Sequence, residues 1–331
     1  MERFALAAAV VLGFALTAAL CSLFVPLRRV LERREQQQQP VQSEQPRPAP
    51  LRAPLWGGLC AAAGTVAAVG VGWLAACVGQ PELLGSEGRL MTRLLTALAG
   101  SLAFGAVGLA EDVARMRSPA ALGLRRDVRL LLEALAAAFV LLLLRAAGCL
   151  PRGLGVPGAG YVLLGSTVPF LWAVLMVALA ECARIAERDE GAVCGAAFVA
   201  MLALMMVEAG LGVSGLAVLP AALAGALVAL GLWAFPPARL GVGCCGSLLA
   251  AGAIGCIPLS LDMTSLTVPL ALPFWAAGGL LAAQLLCAKR TGKPLRCWVK
   301  KHKMSPETVF LCSFALSAVG YVLALAPLRW C

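Results

Sequence analysis

Charge is what this chain has least of. Only 13% of its 331 positions are Asp, Glu, Lys or Arg, and 61% are hydrophobic, whereas a soluble domain carries about 25% charged and roughly 45–50% apolar residues. That balance excludes an ordinary soluble domain. His302 is the one histidine, so a multi-histidine metal centre is excluded and any imidazole chemistry falls on that residue. Thirteen cysteines are present, but none is spaced Cys-x-x-Cys, and most sit in apolar runs where cysteine behaves as a small hydrophobe. Cys244-Cys245 is the exception, because it falls in a loop. The centres of the apolar runs carry no convincing acid or base, which argues against an ion-coupled transporter; Glu133, Glu181 and Glu208 lie near predicted ends.

What is there is a succession of apolar segments of about 17–25 residues, each long enough to cross a bilayer. They cover 3–26, 55–78, 91–110, 128–148, 160–181, 191–208, 217–235, 247–263, 266–288 and 306–328. Helices are expected, because an open strand leaves backbone groups unpaired in lipid. The fold class read from the sequence is all-α: a single polytopic transmembrane domain over 1–331, with about ten helices and both termini outside. The orientation comes from the basic residues. Six of the 27, namely Arg3, Arg89, Arg93, Arg145, Arg152 and Arg329, fall outside, and the remaining 21 (27 − 6) fall in inner loops, as positive-inside placement requires. The net charge of +10 is therefore explained by topology, and no basic groove interleaved with aromatics points to nucleic acid. The first segment has Glu2 beside Arg3 and ends Leu20-Cys21 without a cleavage pattern, so it reads as a retained helix.

The polar residues gather in the inner loops. Residues 27–54 form a cytoplasmic Gln/Pro-rich linker, ending in Trp56-Gly57-Gly58, where paired glycines permit close backbone approach. Glu111 and Asp112 are adjacent carboxylates at a helix end, either Mg²⁺ ligands or solvated acids neutralised by Arg115 and Arg117. Arg129 and Glu133, four apart, share a helix face. Six charges between Glu181 and Glu190 fit a short charged turn. Lys289 to Lys293, Arg296 and Lys300-Lys301-His302-Lys303 attract either a diphosphate or anionic headgroups, and positive-inside anchoring accounts for them equally.

One stretch carries more than composition: Phe235-Pro-Pro-Ala-Arg-Leu-Gly-Val-Gly-Cys-Cys-Gly-Ser247. It resembles the F-x-P-A-(K/R)-x-x-x-G-D-x-G-S motif of the bacterial transferases that load phospho-sugars onto polyprenyl phosphate. From Pro54 to Lys303 the order of the loops is similar to the phospho-N-acetylmuramoyl-pentapeptide transferase (MraY-type) family within glycosyltransferase family 4. That resemblance implies ten helices, a cytoplasmic Mg²⁺ site, transfer of a phospho-sugar from a UDP-sugar to undecaprenyl phosphate in peptidoglycan or surface-glycan synthesis, and the bacterial inner membrane as location. A homodimer or an active paralogue as partner is implied in the same way.

Carried over residue by residue, the family's acid pair falls on Glu111 and Asp112, its following lysine on Arg115 and a later lysine on Arg129. Asp189 is what remains of an Asn/Asp-rich loop whose other positions are Ala180, Ala183 and Ala186. Gly243, Gly246 and Ser247 keep the loop frame, but its acid is Cys244. A triple-histidine motif becomes Lys301-His302-Lys303. The resemblance thus names Glu111, Asp112, Asp189 and His302 as catalytic, the first three as Mg²⁺ ligands, and Arg115, Arg129, Lys301 and Lys303 as phosphate-binding. A thiol is a poor ligand for magnesium, so the expectation is a divergent member with impaired or lost catalysis. The alternatives are an active Mg²⁺-dependent transferase and a non-catalytic protein that binds the lipid carrier or serves as a scaffold.

Overall fold

The computed structural model describes residues 2–38, 56–79, 88–117, 123–151, 153–156, 160–163, 165, 167–187, 190–213, 215–235, 239–291 and 306–325. Its long helices are α1 (Glu2–Gln38), α2 (Gly57–Gly79), α3 (Gly88–Arg117), α4 (Arg126–Ala146), α5 (Thr167–Ala186), α6 (Glu190–Gly210), α7 (Val218–Ala234), α8 (Gly243–Ser260), α9 (Leu272–Thr291) and α10 (Pro306–Leu325). Each coincides with one expected apolar segment. Among the described residues, seven of them, α1, α2, α3, α5, α6, α8 and α10, are long and apolar enough to cross a membrane; of the other three, α4 falls short through its charges and α7 through its 17 residues, and α9 is not among the seven. The chain is an all-α polytopic membrane protein.

Two boundaries differ from the expectation. Helix α1 continues to Gln38, so the first part of the 27–54 linker is helical, as suits a run of Arg, Glu, Leu and Gln with high helix propensity; residues 39–54 lie outside the described residues. The segment expected at 160–181 begins with a strand instead. Residues Gly153–Val156 (β1) and Gly160–Leu163 (β2) pair antiparallel, Gly153 opposite Leu163 and Val156 opposite Gly160. The glycines and prolines of 151–160 break helix formation there, and α5 starts at Thr167.

Helix α8 is the axis of the assembly. Every one of its residues is buried, and it packs against α2, α3, α5 and α6. Its composition of Gly, Ala and Cys with a few Leu and Ile lets neighbouring backbones come close, which is how helices associate in lipid without a hydrophobic driving force. A Cβ added at Gly108 of α3 would collide with the Cys244 carbonyl, and one at Gly58 of α2 with the backbone of Gly246. The turn into α8 runs through Gly243 at φ +69, a left-handed conformation that glycine adopts without steric cost.

A candidate active site at the start of helix α8

These close approaches press the first turn of α8 against the end of α3 and the start of α2. A helix start leaves its first N–H groups without intrahelical partners, and Val242, at the N-cap, supplies no side-chain bond. Asp112, buried near the end of α3, fills that role from another helix. Its Oδ1 accepts the backbone N–H of Cys244 at 3.0 Å and its Oδ2 that of Cys245 at 2.9 Å. A carboxylate at a helix N-terminus also meets the positive end of the macrodipole. Ser247 turns back to donate to the carbonyls of Gly243 and Cys244.

The Cys244 thiol is buried and donates to Glu187 Oε2 at 2.9 Å. Glu187 follows directly on α5 and is itself held by Arg115, whose Nη1 lies 3.1 and 3.2 Å from its two oxygens. The other arm of that guanidinium, Nη2, donates to Glu111 Oε1 at 2.7 Å. A second set of ion pairs sits beside the first. Arg129 of α4 donates through Nε to Glu181 Oε1 at 2.8 Å, with its Nη1 3.7 Å from Glu111 Oε1. Arg184 donates to Glu181 Oε2 at 2.7 Å. Glu133, one turn along α4 from Arg129, is wholly buried, and both its oxygens lack a hydrogen-bond partner, as does Oε2 of Glu111.

The ligand atoms of Asp112, Glu187 and Cys244 lie within 4.8 Å of one another, close enough to surround one ion. Their chemistry does not suit Mg²⁺, which takes near-octahedral oxygen ligands and keeps several waters. One of the three donors is a thiol, both oxygens of Asp112 receive backbone N–H groups, and both oxygens of Glu187 face Arg115. Among the described residues, the donor set as it stands does not fit the Mg²⁺ that the resemblance implies.

Of the residues singled out by sequence, Glu111, Asp112, Arg115, Arg129 and Cys244 come together, on the frame of Gly243, Gly246 and Ser247. Arg115 and Arg129, expected to bind phosphate, are here held by carboxylates. Asp189, Lys301, His302 and Lys303 lie outside the described residues. The residues missed were Glu181 and Glu187, read as part of a charged turn; Arg184, whose charge suits phosphate pairing, is held by Glu181. The spacing of three between Glu181 and Arg184 was the available signal, since i and i+3 are neighbours on a helix surface; Glu187, just past the end of α5, gave none.

A sequence model of glycosyl transferase family 4 matches residues 94–262, just over half of the chain, from within α3 to just past the end of α8. The chain belongs to glycosyl transferase family 4. Every partner in the ion-pair cluster lies inside the match, while the basic run 289–303 lies beyond it. Family 4 membership supports a function of the polyprenyl-phosphate sugar-phosphate transferase kind, with a polyprenyl phosphate and a nucleotide sugar as substrates at the membrane. No curated protein matches the chain.

Proposed function

We propose that this protein is a family 4 member that keeps the frame for undecaprenyl phosphate and a UDP-sugar at the cytoplasmic face of a bacterial inner membrane, with Mg²⁺-dependent transfer impaired or lost. The observation that carries this reading is the Cys244 thiol in the place of the family's acid, donating to Glu187 at 2.9 Å. Transfer breaks the bond between the two phosphates of the UDP-sugar and forms one from the phospho-sugar to the lipid phosphate, releasing UMP. All reacting groups are anionic, so positive charge has to be concentrated at the reacting phosphates and held in line. Here the described guanidiniums nearest Cys244 are engaged by the protein's own carboxylates, and the thiol is a weak partner for a hard ion.

The test is UMP exchange on the purified protein with undecaprenyl phosphate, UDP-MurNAc-pentapeptide and Mg²⁺, beside Cys244→Asp and an active relative. The expected result is silence from the unaltered protein, which favours a lipid-carrier-binding or scaffold role, in company with an active paralogue or alone. Exchange that EDTA abolishes overturns the reading. It would select an active transferase with Mg²⁺ on Glu111, Asp112 and Asp189, a rival supported by the partnerless Oε2 of Glu111.

A further inference from the structure

The cluster around Cys244 holds three carboxylates, Glu111, Asp112 and Glu187, in a buried place. Three such groups together in low dielectric repel one another strongly unless positive charge lies among them. Asp112 meets that need through the start of α8. Glu111 and Glu187 do not touch α8's amides; what lies between them is the fork of Arg115. One arm reaches Glu111 at 2.7 Å, the other reaches Glu187 at 3.1 Å. Arg115 stands one turn after Glu111 on the same helix, so the cation is delivered by α3 itself. The bridge ties the end of α3 to the end of α5.

We propose that the Arg115 guanidinium is the built-in cation of this site, doing permanently and within the chain what a divalent ion does between two carboxylates. The proposal rests on the reading that the site takes no divalent ion, and it adds a cause: the charge is already supplied. A guanidinium stays protonated in proteins and its two-armed geometry matches two carboxylates. Unlike a bound ion it does not dissociate, so the α3–α5 junction is the same whether divalent cations are present or not. The resemblance puts a lysine at this position, a single ammonium; what arginine adds is the second arm, so that one cation holds Glu111 and Glu187 at once.

The experiment compares the full chain with Arg115→Gln in detergent or lipid nanodiscs, by thermal unfolding and by the loss of the free Mn²⁺ spin signal, with Na⁺ at matched ionic strength as control. The unaltered chain is expected to take up no Mn²⁺ and to unfold at one temperature in Mg²⁺, Mn²⁺ or EDTA. Arg115→Gln leaves Glu111 with only Arg129 at 3.7 Å and Glu187 with only the Cys244 thiol; it is expected to unfold earlier in EDTA, to bind Mn²⁺, and to gain about 2–4 °C on binding. Arg115→Lys, which keeps a charge but cannot span both carboxylates, is expected to take up Mn²⁺ more weakly than Arg115→Gln; complete exclusion of Mn²⁺ by Arg115→Lys overturns the role given to the fork. Divalent ions without effect on Arg115→Gln overturn the proposal, and so does Mn²⁺ uptake by the unaltered chain, a result that needs no variant to fold. The underlying reading fails separately, through EDTA-sensitive UMP exchange. Silence in that assay with an ion-indifferent Arg115→Gln sinks only the built-in cation.

Discussion

Replacing Asp112 by alanine separates two roles for this residue. If Asp112 serves only chemistry, its loss leaves stability unchanged. If it caps α8 from α3, as the bonds to Cys244 and Cys245 indicate, two buried N–H groups lose their partners at once. Each buried donor left unsatisfied costs about 1–3 kcal/mol, so Asp112→Ala is expected to lose about 2–6 kcal/mol. At roughly 2–4 °C per kcal/mol for a chain of 150–250 residues, the midpoint falls by about 4–24 °C, with the lower half of that range expected for this longer chain. Asp112→Asn keeps one acceptor oxygen and turns an amide NH₂ towards the other donor, so it falls between. Exposed Asp127 on α4 is the control; its alanine variant stays within about 0.5 kcal/mol. Intrinsic tryptophan fluorescence follows unfolding, with Trp172 buried against the Gly255 carbonyl of α8 as one reporter, at one fixed scan rate because membrane proteins often unfold irreversibly. Hydrogen exchange adds a local readout, with the amides of residues 244 and 245 exchanging faster in the variant. An Asp112→Ala midpoint within about 1 °C of the unaltered chain, with unchanged exchange there, refutes the capping argument.

Three further outcomes follow from the same geometry. Cys244→Asp adds a fourth carboxylate to the cluster, facing Glu187 where the thiol now donates at 2.9 Å; at an effective dielectric near 20 and a separation of about 4 Å this repulsion is about 4 kcal/mol, so the variant should unfold earlier in EDTA, whereas Cys244→Ser keeps a donor and stays close to the unaltered chain in the same thermal scan. Arg129→Ala removes the partner of Glu181 and the second cation near Glu111; about 3 kcal/mol is expected, the lower end for breaking a buried pair, because Glu181 keeps Arg184. Gly243→Ala forces a Cβ into the left-handed region at φ +69, worth about 1–2 kcal/mol, and thermal unfolding beside an alanine placed at open, helical Gly70 isolates that cost.

The helices were legible because their signal is local: an apolar run of bilayer length announces itself wherever it falls. The misplaced edges were those where composition and conformation part. Arg28 to Gln38 are polar yet continue α1, since helix propensity does not require apolarity, and Tyr161-Val162-Leu163 are apolar yet form a strand. The site was legible by membership and not by role. Glu111, Asp112, Arg115, Arg129 and Cys244 were named together, but a pattern along the chain does not show that Asp112 serves the amides of residues 132 and 133 positions later. Nor does it show that Arg115 faces a glutamate 72 positions away. Glu187 went unnoticed for the same reason, as its partners belong to α3 and α8 and its neighbours in sequence look like any charged turn.

The full enclosure of α8 bears on how the protein is made. The long helices it chiefly packs against, α2, α3, α5 and α6, all leave the ribosome before it does. By the time residues 243–260 are synthesised, the helices that chiefly surround them have been made, and in the finished structure α8 has no face left to offer lipid. Its insertion therefore depends on helices already in place more than on its own hydropathy, which at 1.6 is below that of α1, α6 and α10. A bulky residue at Gly58 or Gly108 would thus show itself late in biogenesis, as the failed entry of a segment whose own sequence is intact.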